Sequence, residues 1–354
     1  MSKINSGSVK LTGRITMKNL IYDFSDSANH KIIFPDSERR LEGKSFFSFD
    51  SQSIMKSKGK QTGMSVEITS LPVGSDLFID NKHIGITPYI GNMIYGSHSL
   101  RIEYQGNKTE KVIQISHEGT DNFSLAFPHF TETAFDINLE MVFVEGGTFL
   151  IGSNDGEARE KPLYSVTLSD FYIGKYQVTQ KQWRNVMGNN PSYFNGCDNH
   201  PVEQVSWDDV HEFIKRMNQK TGKNFRLPID TEWEYAAKGG KQSRGYTYSG
   251  SNNLDDVGWY DSNSGKITHP VGQKQSNELE LFDMSGNVFE WCNRDFAYNQ
   301  YMVTLNPKLP SSISSRVLFG GAWNGSAQYC RTSDRCYGDD VGENVIGFRL
   351  VLVP

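Results

Sequence analysis

Cysteine is scarce in this sequence, with four in 354 residues, too few for a disulfide-stapled scaffold at this length. Cys197 and Cys292 stand alone and Cys330 and Cys336 lie six apart, so no CxxC pair points to a zinc ribbon. His200, His211 and His269 have no HxxxH or HExxH partner and read as ordinary polar residues. The GKS at Gly43 to Ser45 lacks the upstream glycine of a phosphate loop. Basic residues are not in surplus. Thirty-six Lys and Arg face 41 Asp and Glu, a net charge of −5, and without a Lys/Arg run this argues against a nucleic-acid partner. No apolar run approaches a membrane span. The opening MSKINSGSVKLTG has no apolar core, so as written it carries no secretory signal. No spacing supports Ser/His/Asp or Cys/His catalysis. The adjacent carboxylates Asp208-Asp209 and Asp255-Asp256 read as caps or solvated pairs.

What the chain does have is glycine, 33 residues, and 12% aromatics, a balance that favours loop-rich, β-leaning structure over a helical bundle. Residues 1–63 hold short strand-like runs, VKLTGRI and KIIF, before a linker-like stretch from Lys56 to Gly63, and stay unassigned. Residues 64–118 differ. MSVEIT, DLFID, HSLRIEY and EKVIQIS alternate apolar and polar residues, with turn signals at Pro72-Val73-Gly74, Asp80-Asn81, Gly85 to Pro88 and Tyr95-Gly96. The pattern predicts a small antiparallel β-sandwich, independent of the C-terminal part of the chain. With PVGS at the turn, then FIDNKHIGITP and YGSHSLRIEY, it resembles a PEGA domain. That resemblance implies a non-catalytic spacer or binding module and a cell-surface or extracellular setting.

From residue 139 onward three helices are legible. FYIGKYQVTQKQWRNVMG runs from strand into helix, capped by Thr179 with Gln182 three residues on. In SWDDVHEFIKRMNQKTG, Ser206 caps, acids fill the first turn, and Gly222 ends the helix. In RLPIDTEWEYAAKGG, Thr231 is expected to cap and Gly239-Gly240 to stop. Phe213, Ile214, Trp233 and Tyr235 are expected to share one core with the closing GFRLV. EGGTFLIGS, FYIGKYQVTQKQW, HPVEQVSWDD, RLPIDTEWEYAAKGG, DMSGNVFEWC, FGGAWN and GFRLV together resemble the formylglycine-generating enzyme (sulfatase-modifying factor) family across residues 139–354. The resemblance implies an α+β, C-type-lectin-like fold whose C-terminal segment lines the ligand-facing surface.

Enzymes of that family hold copper(I) between two cysteines five apart. Cys330 matches the second, but Gly325 stands at the first, and Ala322 replaces the active-site serine before Trp323. Soft thiolates are what copper(I) needs, and Cys336 lies on the wrong side at another spacing. Copper and catalysis are therefore not expected, and Cys330 reads as a small buried residue. The alternative is a copper-dependent oxidase of sulfatase cysteines using Cys330. The same segment resembles the variable region of diversity-generating-retroelement proteins. Asn324, Gly325, Ser326, Tyr329, Asp334, Cys336, Tyr337, Gly338, Asp339, Val345 and Ile346 are all types reachable from an AAC codon changed at its adenines. Trp323, Gln328, Arg335, Phe348 and Arg349 would hold the frame. Tyr329, Tyr337 and Asp334 are expected to face solvent over Trp323, with Arg335 and Arg349 tied inward. Tyr, Ser, Gly and Asn also suit binding loops on rigid scaffolds. The expected function is non-catalytic binding of a protein or glycan through this loop. Finally, the match implies a structural calcium site at Asp283 and Glu290 carboxylates with Gly286 and Val288 carbonyls, a hard-oxygen set.

Overall fold

The computed structural model describes three short strands within residues 14–33 and then residues 63–353, apart from residues 105, 117–118, 120, 294–315 and 339–340. The chain divides into two compact units, Met1–Thr62 and Gly63–Pro354. In the first, β1 (Arg14–Met17), β2 (Leu20–Asp23) and β3 (Lys31–Ile33) form an antiparallel meander.

The second unit opens with a β-sandwich. One layer is β6-β5-β8-β9, built from β5 (Asp76–Ile79), β6 (Lys82–Ile86), β8 (Gly96–Tyr104) and β9 (Asn107–Ile115). The other is β10-β4-β7, from β4 (Gly63–Leu71), β7 (Tyr89–Ile94) and β10 (Asn122–Ala126). Val66, Ile68, Leu77, Leu100, Ile102 and Ile115 fill the space between them. The alternating runs gave the long strands, but the sandwich is neither closed at 118 nor purely antiparallel. β10 lies beyond that boundary and pairs in parallel with β4. It leads directly into the next sheet, where Tyr172 Oη donates to the Phe127 carbonyl at 2.7 Å, while among the described residues the strands within residues 64–118 pair only with one another and with β10.

That next sheet has five strands in the order β11-β12-β15-β21-β16, namely β11 (His129–Glu132), β12 (Leu139–Val144), β15 (Phe171–Gly174), β21 (Val351–Leu352) and β16 (Phe225–Arg226). A hairpin of β13 (Gly147–Ile151) and β14 (Tyr164–Leu168) precedes β15. Successive side chains of a strand face opposite ways, and this sheet is buried on both faces. Leu139, Met141, Tyr172 and Leu352 join Phe213, Ile214 and Phe348 on one side. Val142, Val144, Phe171, Ile173 and Val351 join Trp233 and Tyr235 on the other. The single core expected from sequence is thus two, one on each face.

Helix α1 (Gln180–Met187) has the expected capping box: Gln182 N donates to Thr179 Oγ1 at 3.3 Å, and Gln182 Oε1 accepts from Thr179 N at 2.9 Å. Helix α2 (Trp207–Thr221) repeats it with Ser206 and Asp209 and stops at Gly222, φ 68°. Helix α3 (Asp230–Ala237) starts earlier than expected. Ile229 occupies the cap position, its N–H satisfied by Glu232 Oε2 at 3.0 Å, and Thr231 lies buried in the first turn. A short helix, α4 (Leu254–Val257), comes next. A second sheet, β19-β18-β17-β20, carries the C-terminal segment on β17 (Phe289–Cys292), β18 (Arg316–Phe319), β19 (Arg335–Gly338) and β20 (Ile346–Gly347).

Candidate functional site

Between β18 and β20 the described residues form one short strand and a turn of 3-10 helix at Ala327–Cys330. Charged side chains do the work that secondary structure does not. Arg335 is buried on β19 and pairs with Glu234 of α3 at 2.7 Å, and Glu234 also holds Lys238 at 2.6 Å. Arg349 is fully buried and donates to both Glu290 oxygens, at 2.6 and 2.8 Å, and to the Gly174 and Phe282 carbonyls at 3.0 and 2.9 Å. Glu160, on the segment after β13, is buried and accepts from Arg331 and from Ser333 Oγ. Beside it Arg159 grips Asp334 with two bonds, 2.7 and 3.0 Å.

That last pair corrects an expectation. Asp334 does not face solvent; it is 1% exposed. Burial pushes its carboxyl above the ordinary range, and the Arg159 hydrogen bonds pull it back, while Arg159 is held more firmly protonated by the same contact. Two short, parallel bonds are the geometry of an ionised pair. Ile346 is likewise a core residue on β20, and Val345 and Cys336 pack against the same cluster. Tyr337 packs against the opposite cluster, and Gly338 is half-buried on the edge strand β19, paired with Arg316. Asp339 lies outside the described residues.

The outward face is made by Asn324, Ser326, Gln328 and Tyr329, all exposed, with Gly325 and Trp323 half-buried among them. Trp323 is pinned: its ring N–H donates to the Asn344 carbonyl at 2.9 Å, and Ser264 Oγ donates to its carbonyl at 2.6 Å. Tyr329 meets Phe289 edge-on at 6.3 Å between ring centres, and Arg159 lies 5.7 Å over its ring. Two residues passed over in the sequence extend this face. Phe194 packs edge-on against Trp323 at 5.2 Å, and Tyr193 edge-on against Phe194 at 5.0 Å. Tyr193 remains 63% exposed. Their loop is rigid because buried Glu203 accepts from Phe194 N at 2.9 Å and Gln180 Nε2 donates to the Phe194 carbonyl at 2.8 Å. Two adjacent aromatics in the turn-rich NNPSYFNG were the signal that could have found them.

Cys330 points the other way. It is fully buried with Leu254 and Val257, and burial pushes its thiol up to about 12. Its sulfur packs so closely on Gly321, φ 76°, that a Cβ there would come within 2.5 Å. Burial also raises Cys336, to about 11. At Gly325 a Cβ would meet nothing nearer than 3.4 Å, so a side chain fits where the family's other thiol would stand, but none is there. Among the described residues no group of three or more His, Cys, Asp or Glu is arranged to hold a metal.

The oxygens implied as calcium ligands do converge, but around a hydrogen-bond donor. Gln177 Nε2 lies 2.9 Å from the Val288 carbonyl, 3.0 Å from Glu290 Oε1, 3.2 Å from the Asp283 carbonyl and 3.4 Å from the Gly286 carbonyl. Asp283 contributes its main-chain oxygen. Its φ of 55° turns the carbonyl inward, while its carboxylate Oδ2 accepts from Gly272 N at 2.7 Å. Burial pushes that carboxyl up to about 6. Gln177 was not singled out in the sequence.

Comparison with known proteins agrees with this architecture. The chain is 37% identical over 244 residues to the chaperone protein LppX of Paenibacillus barcinonensis, covering 55% of this chain and 82% of LppX. It is 34% identical over 169 residues to the formylglycine-generating enzyme of Streptomyces coelicolor, covering 43% of this chain and 51% of that enzyme. The solved structure of Treponema denticola variable protein 1 superposes with a TM-score of 0.56 at 31% identity, over 64% of this chain and 99% of that one. Residues 127–353 match the sulfatase-modifying factor enzyme 1-like domain, and over that span, with its α+β architecture, the chain belongs to the sulfatase-modifying factor family.

Proposed function

We propose that this protein is a non-catalytic binding protein that presents the outer face of its C-terminal loop to a protein ligand. The observation that carries this reading is the division of the loop. Its cysteine is turned into an apolar pocket opposite a glycine, and its outer face carries Asn324, Ser326, Gln328 and Tyr329 above a frame of buried ion pairs. With Gly325 where the resemblance places the other cysteine, the loop offers no second thiolate beside Cys330, and soft thiolates are what copper(I) needs. Exposed tyrosines with small polar neighbours on a rigid base give large contact area at low entropic cost, the chemistry of protein-recognising loops. The likeness to a Treponema variable protein supports the same reading. If the loop is diversified, variation falls on Asn324, Gly325, Ser326 and Tyr329, because Asp334 and Ile346 belong to the frame.

Two measurements test this. Incubated with copper(I), oxygen and a cysteine-containing sulfatase peptide, the protein is expected to leave the peptide unchanged by mass spectrometry. Copper-dependent conversion lost on Cys330→Ser would defeat the proposal. On an array of cell-surface proteins and glycans, a protein ligand is expected, with affinity falling at least about tenfold on Tyr329→Ala or Tyr193→Ala, as exposed aromatic anchors do. Glycan hits alone, or hits that both variants keep at full strength, would refute it.

A further inference from the structure

We propose that the Gln177 side-chain amide takes the place of a cation in this chain, making the fold around residues 283–290 independent of divalent metal. Gln177 is buried, 1% exposed, between β15 and α1. Its nitrogen stands at the point where four oxygens meet: three main-chain carbonyls and one carboxylate oxygen, all within 3.4 Å. The loop is curled to make that point, with φ of 55° at Asp283, 94° at Gly286 and 65° at Asn287, and the Asp283, Gly286 and Val288 carbonyls turn to the amide. Buried carbonyls without a partner are costly, and something carrying positive charge or N–H groups must sit among them. Here the amide does so.

Two further features show that the surroundings are set for a neutral donor. The negative charge of Glu290 is already met by Arg349, with both carboxylate oxygens engaged at 2.6 and 2.8 Å, and by Trp233 Nε1 at 2.8 Å. The Asp283 carboxylate, which a calcium ion would need, is turned to Gly272 N. What is left at the centre is carbonyl oxygen, matched by partial charge on an NH₂ group. The match is incomplete, since Asp283 Oδ1 and Gln177 Oε1 are buried without a protein partner. Two amide hydrogens also serve four acceptors, leaving the longer two weakly bonded. The residue type at position 177 therefore decides whether this centre needs a metal. Glutamine fills it with a donor. Glutamate would place a carboxylate oxygen against four others, a repulsion relieved by a bound cation or, without one, by taking up a proton at a cost to the fold near neutral pH.

The experiment uses the full chain. Melting temperature is recorded in excess EDTA and in millimolar calcium, and the metal content of the untreated protein is measured. For the natural sequence we expect no stoichiometric calcium and coincident melting curves. Gln177→Glu should melt several degrees lower in EDTA and recover in calcium, because a ligand that binds only the folded state stabilises it. Calcium at one equivalent in the untreated protein, or a melting temperature that falls in EDTA and returns with calcium, would overturn the proposal without any variant. If Gln177→Glu is folded but indifferent to calcium, the centre is not a latent cation site and the proposal fails. The isosteric Gln177→Met, which keeps shape without the donor, should melt lower than the natural protein in EDTA. Melting unchanged by that variant would show that the amide does nothing for the fold.

Discussion

Replacing Arg349 with methionine removes the guanidinium while keeping most of the side chain's length and apolar stem. Arg349 and Glu290 are both fully enclosed, and the guanidinium serves a carboxylate and two main-chain carbonyls at once. Losing one member of a buried ion pair leaves the other charged and unpaired, at a cost of about 3–5 kcal/mol. Each carbonyl left without a donor adds roughly 1–3 kcal/mol, although Trp233 and Gln177 still donate to Glu290. These terms span about 5–11 kcal/mol, and with two donors retained on Glu290 the expected loss lies at the lower end, about 5–6 kcal/mol, a large part of the 5–15 kcal/mol that holds an ordinary domain together. All six tryptophans lie in the family domain, so urea unfolding followed by tryptophan fluorescence reads this domain and not the β-sandwich. Adding Glu290→Gln to Arg349→Met should recover part of the loss, because the orphaned charge is then gone, a coupling of about 1–3 kcal/mol. A loss below about 1 kcal/mol for Arg349→Met, or purely additive single variants, would refute the claim that this pair fixes the loop.

Two further outcomes are expected. Asp334→Ala should cost about 2–4 kcal/mol, at the lower side of the buried range because Arg159 is partly exposed, whereas Asn324→Ala and Ser326→Ala should stay within about 0.5 kcal/mol; equal costs would show that frame and surface are not distinct. Labelling of the folded protein with a thiol reagent, read by peptide mass spectrometry, should modify exposed Cys197 first. With its thiol at about 12, Cys330 is thiolate in only about one molecule in ten thousand at pH 8, and its labelling should climb with pH. Cys330 reacting as fast as Cys197 at pH 8 would remove the physical ground for an inert, buried cysteine.

Local features were the legible ones. The capping boxes at Thr179 and Ser206 involve residues three apart, so sequence alone displays them. Arg349 and Arg335 could be read as frame because buried guanidinium groups brace several acceptors. From sequence Asp334 reads as a solvent-facing loop residue because its partner Arg159 lies 175 positions away, and nothing beside Asp334 marks it as paired. Gln177 is the extreme case. Its contacts lie 106 to 113 residues further on, and a lone glutamine in a strand-to-helix turn has no local signature. Thr231 is a subtler case: residue type favours it as the cap, but Glu232 reaching back to Ile229 N sets the start of α3. The two cores were latent in the pairs Met141-Val142 and Phe171-Tyr172, since a strand apolar at consecutive positions is buried on both faces.

A binding loop that must tolerate substitution cannot depend on its own exposed residues for its shape. Ordering each backbone position costs about 1–2 kcal/mol, and the segment from Gly320 to Asp334 has no sheet ladder to offset that. Its restraints come from elsewhere: Arg159 and Glu160 before β14, Ser264 and Asn287 in distant loops, and Glu234 of α3 through the adjoining Arg335. None of these is an outward-facing position of the loop. Changing Asn324 or Ser326 therefore alters what the surface presents and leaves the restraints intact. Changing Arg159 does the reverse, leaving every exposed side chain in place while freeing the backbone that carries them. On the proposed function, stability and recognition thus reside on different residues of one loop, which is the physical condition for a surface that can be rewritten without unfolding.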